Sequence, residues 1–376
     1  MTLANKAIAL LLLAALLLLA LAVCAGASTA NAAGFGSGER AQFSALTHKA
    51  IAEGGYPGIV IGVWAPHGRT FLRAYGKREL SSGRRAALRP NDHFRIASVT
   101  KTMTATVVLR LVQERKLSLD TPLSRFYPGV LGAPRITIRN LLNHTSLIPT
   151  LDQSTVESLV RVPSQRFDPA EVIGAALTQP FLPPPWGYSD TNYLLLGKIV
   201  ERVSRHSFAY ELRRDVLAPL HLTHTSFDPG TRIPAPAAHG YTLLNGRMVD
   251  TAGWTTSYGW AAGSVVSTLG DLHRWTPALA RGTLLDARLQ RERLRWVATG
   301  QPGFEYGLGI FEIDGFVGHN GLIPGYDSAI LYSPSSHTTV VALANSDPAL
   351  DEPPPQPITS TLELAIALGH TAAAAR

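Results

Sequence analysis

The spacing of apolar residues along the chain predicts where strands and helices lie. Short apolar runs bounded by turn residues predict strands at 59–64, 70–75, 306–312, 326–332 and 338–344. Apolar residues at helical spacing predict helices at 39–53, 98–116, 190–203, 208–217, 268–280 and 357–369, and Asp168-Pro169 begins another. Since both ends of the chain supply strands, we predict an α/β (α+β) fold in which one antiparallel sheet is flanked by helices.

The middle of the chain has a different pattern. Helical patterns between residues 121 and 254 are short and broken by prolines, and strand patterns are scarce there. We therefore predict a discontinuous sheet domain, residues 34–95 and 255–376. A mostly helical domain, residues 96–254, is inserted in it, with the active site at the interface. A chain of 376 residues with 45% apolar and 16% charged residues can form a core of this size.

The first 33 residues have the pattern of a secretory signal peptide. Lys6 precedes an apolar run at 7–23, and small residues follow as far as residue 33. Cleavage near Ala32 predicts a secreted or periplasmic protein. The alternatives are a retained membrane anchor and a lipoprotein modified at Cys24, and only these would give the protein a membrane partner. Cys24 is the only cysteine, so the mature protein has no disulfide.

The net charge of +7 comes mainly from arginine. The sequence lacks basic runs interleaved with aromatic residues, so nucleic acid is not the predicted partner. The charge suits a polyanionic cell wall or carboxylate substrates instead. The sequence also lacks a His-Glu-x-x-His motif and a glycine-rich phosphate loop. We therefore expect neither a metal nor a cofactor.

Ser98 and Lys101 stand three residues apart at the start of an apolar helical pattern. Residues at this spacing share a helix face, so the hydroxyl and the amine would lie one turn apart. The helix has little polar face, and we expect burial and neighbouring cations to lower the pKa of Lys101, so that its amine can take the serine's proton. The alternative is a helix N-cap serine followed by a solvated lysine.

Two later segments supply complementary groups. The phenol of Tyr188 both donates and accepts, so it can share the transferred proton; the alternative is a packed aromatic residue, with Asp190 as a helix N-cap. His319 lies in a strand-like run, where backbone N–H groups can bind an oxyanion and Gly321 permits close approach. His319 itself offers a cation or a hydrogen-bond donor. The alternative is a β-turn with an incidental histidine.

In this order the motifs resemble those of the serine β-lactamase and D-alanyl-D-alanine peptidase superfamily. The most similar branch holds class C β-lactamases, D-alanyl-D-alanine carboxypeptidases and related esterases. Residues 94–101 (FRIASVTK) resemble its first motif, and 141–146 (LLNHTS) its LLxHTSG segment, with Leu147 where glycine is usual. Residues 188–190 stand for Tyr-x-Asn, 263–268 resemble GGxxST, and 319–321 stand for Lys-Thr-Gly or His-Thr-Gly. The resemblance spans nearly the whole mature chain and implies a β-lactamase/transpeptidase-like fold.

The resemblance implies catalytic roles for the matching residues. Ser98 would be acylated, while Lys101 and Tyr188 move its proton. The backbone N–H groups of Ser98 and Leu322 would form the oxyanion hole.

The resemblance also implies a substrate-binding side at Asp190, His319, Asn320 and Gly321, where Asn320 would meet a carboxylate or amide. Two of these residues depart from the family pattern. An ionised Asp190 cannot donate the hydrogen bond that an asparagine gives to an acyl-amide carbonyl. His319 replaces the lysine common in class C β-lactamases, and histidine is mostly neutral above about pH 6.5. Both differences disfavour a dedicated β-lactamase.

We interpret the chain as a secreted serine hydrolase that acts through an acyl-enzyme on a small amide or ester. The partner would be a small molecule or a peptidoglycan peptide, and the first predicted activity is that of a D-alanyl-D-alanine carboxypeptidase. One alternative is an esterase or a weak class C-like β-lactamase on the same scaffold. Another is a penicillin-binding sensor or scaffold without turnover.

Overall fold

Strands from both ends of the chain form one antiparallel sheet, as the apolar pattern predicts. The computed structural model describes residues 34–80, 87–151, 153–347 and 360–374. Its strands are β1 (Gly58–Trp64), β2 (Thr70–Gly76), β3 (Phe94–Arg95), β4 (Ser226–Phe227), β5 (Tyr241–Leu244), β6 (Arg247–Asp250), β7 (Val265–Ser267), β8 (Val297–Ala298), β9 (Phe304–Tyr306), β10 (Phe311–Ile313), β11 (Phe316–Ile323), β12 (Tyr326–Ser333) and β13 (Thr338–Ala344). Within these ranges the main sheet has eight strands in the order β2-β1-β13-β12-β11-β10-β9-β8.

Helices cover the main sheet and supply most of the regular secondary structure between residues 96 and 254. They are α1 (Ser37–Gly54), α2 (Thr100–Gln113), α3 (Ile138–Leu142), α4 (Gln153–Arg161), α5 (Pro169–Ala176), α6 (Asp190–Ser204), α7 (Phe208–Leu212), α8 (Trp260–Gly263), α9 (Leu269–Arg281), α10 (Ala287–Arg293) and α11 (Ser360–Ala374). The side chain of Asp168 accepts a hydrogen bond from the Ala170 N–H and caps α5, which begins at a proline as predicted.

Both faces of the main sheet are covered, which explains why its central strands are apolar along their length. On β13, Val340, Ala342 and Ala344 face one core, while Val341 and Leu343 face the other, as the two-residue period of a strand requires. The first core packs against α1 and α11. The second contains residues of α2, α6 and α9. The second core therefore surrounds the helix that follows Ser98.

The structure corrects three predicted elements. The strand predicted at 306–312 is two strands, because the Gly307 N–H donates to the Ile310 carbonyl (2.7 Å) and Gly309 has a φ of +72°, so the chain turns between β9 and β10. The helix predicted at 208–217 becomes π-helical at Arg213. The helix predicted at 98–116 starts as a 3-10 turn, Ala97–Val99, and its α-helical part ends at Gln113.

Five short strands that were not predicted lie within or beside residues 96–254. β3, β7 and β4 form a small sheet, and β5 pairs with β6 in a hairpin. Asn245 and Gly246 at the hairpin turn both have positive φ values, 50° and 70°. Strands of two or three residues leave no alternation to detect. The Asn-Gly pair, by contrast, is a recognised hairpin signal that the sequence contains.

Two predictions concern residues outside the described ranges. The signal peptide at 1–33, with its cleavage site and Cys24, lies there and stays a prediction, as does the start of the closing helix at 357–359. From residue 360 that helix, α11, continues past its predicted end at 369. Across the described ranges, each helix is too short or too polar to span a membrane.

Candidate active site

A short strand and a 3-10 turn fix the backbone at Ser98. After β3, the Ile96 N–H donates to the Val265 carbonyl (3.0 Å), and buried Ala97 follows with a φ of +47°, which is uncommon for a residue with a side chain. The turn places Ser98 just before α2, with its Oγ 2.9 Å from the Lys101 Nζ. The contact predicted from the three-residue spacing is therefore present.

Lys101 is fully buried and donates to Ser98 Oγ, to Asp190 Oδ1 (2.5 Å) and to the Ala262 carbonyl (3.2 Å). Burial acts to lower the pKa of Lys101, but the Asp190 carboxylate and the Tyr188 hydroxyl outweigh burial, so that the pKa is raised above its usual value. The expected lowering of this pKa is therefore wrong, because the nearest charged neighbour is an anion rather than a cation.

Tyr188 completes a group of polar side chains around the serine. Its hydroxyl lies close enough to Ser98 and Lys101 for both to act on its pKa, and the Lys101 Nζ lies 4.8 Å from the centroid of its ring. Burial raises the pKa of Tyr188 and Lys101 only partly offsets this, so the phenol is protonated at neutral pH. The structure thus brings the three predicted catalytic residues together, and their roles stay predictions.

Asp190, predicted on the substrate-binding side, has a second contact that the sequence did not indicate. It begins α6, and its backbone N–H donates to Thr150 Oγ1 (3.2 Å). Its side chain is 29% exposed and lines the cavity above Ser98 while it binds Lys101. One carboxylate therefore faces both the substrate space and the buried amine.

The open side of β11 lies against Ser98. Ile323 and Tyr326 pair on either side of the two-residue hairpin between β11 and β12. Hydrogen-bonded and non-hydrogen-bonded pairs alternate along an antiparallel ladder, so the N–H of the neighbouring Leu322 points away from β12. A Cβ built at Gly321 would lie 2.7 Å from the Ser98 backbone nitrogen, so glycine permits this approach. The arrangement fits the predicted oxyanion hole, formed by the N–H groups of Ser98 and Leu322.

His319 is buried and its two ring nitrogens already have partners. Nδ1 donates to the Asn320 carbonyl (2.5 Å), and Nε2 accepts from the Tyr306 hydroxyl (2.8 Å). Burial, with the positive charge of Lys101 as a second cause, lowers the pKa of His319 to about 3. The ring is therefore neutral at pH 7, so of the two predicted roles of His319, a cation or a hydrogen-bond donor, only the donor fits.

The cavity above Ser98 has a volume of about 370 Å³, within the usual range for small-molecule sites. Five aromatic residues line it: Trp186, Tyr188, Phe304, Tyr306 and Phe311. With His319 neutral, the only charged side chain among the described lining residues is that of Asp190. The cavity therefore suits an apolar group, and its described lining offers no cation.

His144 belongs to the site although no role was predicted for it. Its Nδ1 accepts from the Ser189 N–H (3.1 Å) and lies 3.3 Å from the Asn192 side-chain amide. Its ring packs on Tyr188 with centroids 4.4 Å apart. Burial holds the pKa of His144 well below 6.5, so the ring is neutral. His144 thus supports the segment that carries Tyr188, and the LLNHTS resemblance was the available signal.

The β-lactamase family model matches residues 43–360, which is most of the chain. The chain belongs to the β-lactamase family and has the β-lactamase/transpeptidase-like fold that its motifs imply.

Curated relatives include two bacterial proteins. The chain is 27% identical to Protein flp of Staphylococcus aureus (strain MRSA252), over 81% of this chain and 62% of that protein. It is 26% identical to the putative penicillin-binding protein PbpX of Bacillus subtilis (strain 168), over 68% of this chain and 63% of that protein. The chain therefore spans less than two thirds of the length of these relatives.

Similar solved structures include two amide hydrolases. A D-stereospecific amidohydrolase from Streptomyces sp. is 27% identical, with a TM-score of 0.71 over 80% of this chain and 94% of that one. The D-amino acid amidase from Ochrobactrum anthropi SV3, complexed with L-phenylalanine amide, is 25% identical, with a TM-score of 0.76 over 89% and 98% of the two chains.

Proposed function

We propose that this protein hydrolyses small amides or esters through an acyl-enzyme on Ser98, with leaving groups that carry no carboxylate. The observation that carries the proposal is the charge of the cavity, where His319 is neutral and Asp190 is the only charged side chain of the described lining. A substrate carboxylate would be desolvated there beside Asp190 and without a cation on the described lining, because the Lys101 ammonium is buried behind it and already paired with Asp190, which is unfavourable. An amide or ester leaving group avoids this cost.

The reaction proceeds in two steps. The Ser98 Oγ bonds to the carbonyl carbon, the C=O electron pair moves onto the oxygen, and the N–H groups of Ser98 and Leu322 stabilise the oxyanion. The serine's proton passes through Lys101 and Tyr188 to the leaving nitrogen or oxygen as its bond to carbon breaks. Water then attacks the acyl carbon, gives up its proton to the same pair, and releases the acid and the serine hydroxyl.

The names of the relatives support an acyl group of D configuration. One similar structure is a D-stereospecific amidohydrolase and another a D-amino acid amidase. The aromatic walls of the cavity favour an aromatic side chain in this acyl group. A D-alanyl-D-alanine carboxypeptidase, the first activity predicted from the sequence, has less support because its substrate ends in a carboxylate.

A matched pair of substrates tests the proposal. D-phenylalanyl-D-alanine and its C-terminal amide differ only in the carboxylate of the leaving group. We expect kcat/KM to be about tenfold or more higher for the amide, the size of one unfavourable charge contact. Ser98→Ala should remove both activities. Equal or faster cleavage of the free dipeptide by the wild-type protein would contradict the proposed specificity.

A further inference from the structure

Asp190 binds the catalytic lysine from a fixed position. Its backbone N–H donates to Thr150 Oγ1. The preceding residue, Ser189, makes two hydrogen bonds: its N–H donates to His144 Nδ1 (3.1 Å) and its hydroxyl donates to the Pro149 carbonyl (3.0 Å). Asp190 is also the first residue of a 15-residue helix, where a negative charge is favourable. Its carboxylate therefore stays beside Lys101 without rearrangement.

Lys101 faces polar groups from every element packed around it. They are Ser98 on its own turn, Asp190 and Tyr193 on α6, Tyr188 before α6, His144, His319 on β11 and the Ala262 carbonyl on α8. Both histidines are neutral because their pKa values are lowered by burial, and both tyrosines are protonated because burial raises theirs. Among these described neighbours, Asp190 alone is an anion.

We propose that Asp190 is a positioning residue that holds Lys101 as an ammonium ion in the resting enzyme, so that Ser98 becomes reactive only after the Ser98–Lys101–Tyr188 group has released one proton to solvent. The inference rests on the proposed acyl-enzyme function. In the deprotonated group, Lys101 or Tyr188 accepts the hydroxyl proton of Ser98 while the Oγ–carbon bond forms. Because the sites are coupled, the released proton belongs to the group and not to one residue.

The negative charge of Asp190 opposes loss of that proton from either partner. Its carboxylate raises the pKa of Lys101 and, as one of several causes after burial, that of Tyr188. The rate of acylation should therefore rise with pH as the group deprotonates. Asp190→Asn keeps the shape of the side chain and an oxygen that can accept from Lys101, but removes the charge. Deprotonation then becomes easier, and the acid limb of the pH profile moves to lower pH.

The experiment compares pH profiles of Ser98 reactivity. A fluorophosphonate reports on the nucleophile without a known substrate, because the Oγ–phosphorus bond forms as the phosphorus–fluorine bond breaks and fluoride leaves. Labelling rates are measured by intact mass for wild type and Asp190→Asn, beside kcat/KM for an ester. We expect the ratio of the rate at pH 7 to the plateau rate to rise about tenfold or more in Asp190→Asn.

Two variants separate charge from shape. Asp190→Glu retains the negative charge, so the acid limb of its pH profile should stay at the wild-type position. Asp286→Asn makes the same chemical change at the cap of α10, outside the site, and should also leave the profile unchanged. Superimposed profiles for wild type and Asp190→Asn would overturn the inference. Failure of the fluorophosphonate to label Ser98 at any pH would instead contradict the proposed function.

A measurement on the wild-type protein covers the case in which Asp190→Asn does not fold. The ¹³Cε signal of Lys101 is assigned by its loss in Lys101→Ala and followed by NMR. We expect it to keep the shift of an ammonium group between about pH 6 and pH 9. Conversion to the shift of a neutral amine within this range would overturn the inference.

Discussion

Replacing Gly321 with alanine should damage catalysis more than stability. The new Cβ would lie 2.4 Å from the Ile96 carbonyl oxygen, 2.7 Å from the Ser98 nitrogen and 2.8 Å from the Ser328 Oγ. Two of these atoms are backbone. The third is held by hydrogen bonds from the Ser328 hydroxyl to the carbonyls of Ile96 (3.0 Å) and Gly321 (3.3 Å). These close contacts can therefore be relieved only if β11 and the turn at Ser98 move apart.

This separation would misplace the oxyanion donors on both sides of the contact. A shift of about 1 Å in a catalytic group can cost about 10²-fold, and loss of one oxyanion donor costs about 10²–10³ in kcat. We therefore expect kcat/KM for an ester to fall about 10²-fold, equivalent to about 2.7 kcal/mol of transition-state stabilisation. Active sites are counted by fluorophosphonate titration, so that kcat is calculated per reactive site and unfolded protein does not lower it.

Gly318→Ala is the matched control on the same strand. Its Cβ would lie 1.9 Å from the Ile330 carbonyl oxygen, within the sheet. It should lower the melting temperature and leave kcat per titrated site largely intact. The reasoning would be refuted if Gly321→Ala changed kcat/KM by less than about threefold, or if Gly318→Ala lost as much kcat.

Two further substitutions test the proton chemistry of the site. Lys101→Ala should slow acylation by about 10²–10⁴-fold, measured by stopped-flow release of p-nitrophenol, and a mild effect would mean that another residue is the base. His319→Gln should flatten the pH dependence of stability between about pH 6.5 and pH 3, measured by urea unfolding. In this window the histidine is protonated in the unfolded protein, whereas folded His319, with a pKa of about 3, is neutral. As the pH falls from 6.5 to 3, this group therefore lowers the free energy of unfolding of the wild-type protein by up to about 1.4 kcal/mol per pH unit. Identical slopes for the two proteins would show that His319 is not buried in its neutral form.

Elements with a uniform environment along their length could be predicted from sequence. The central strands β12 and β13 are buried on both faces and read as continuous apolar runs. The turn between β9 and β10 interrupts an apolar run of this kind, but no polar residue marks the turn. Gly309 supplies the positive φ that the turn needs, and β10 begins directly after Ile310. The pattern of apolar residues therefore could not reveal two strands in place of one.

The candidate site was predictable where its contacts are local. Ser98 and Lys101 follow from helical spacing, and the motif order placed Tyr188 and β11 beside them. The Lys101–Asp190 pair joins residues 89 positions apart, so no spacing rule could indicate it. The direction of the Lys101 pKa depends on that partner, and the neutral state of His319 depends on its burial. Both are products of tertiary packing, which the sequence pattern does not report.

The central claim is that Ser98 becomes acylated during turnover. The direct measurement is peptide mapping by mass spectrometry after wild-type protein and Ser98→Ala are incubated briefly with a D-phenylalanyl ester and quenched in acid. The account predicts one acyl group per wild-type chain, on the peptide that contains Ser98, and none on the variant. An acyl group on another residue, or unchanged turnover by Ser98→Ala, would contradict it.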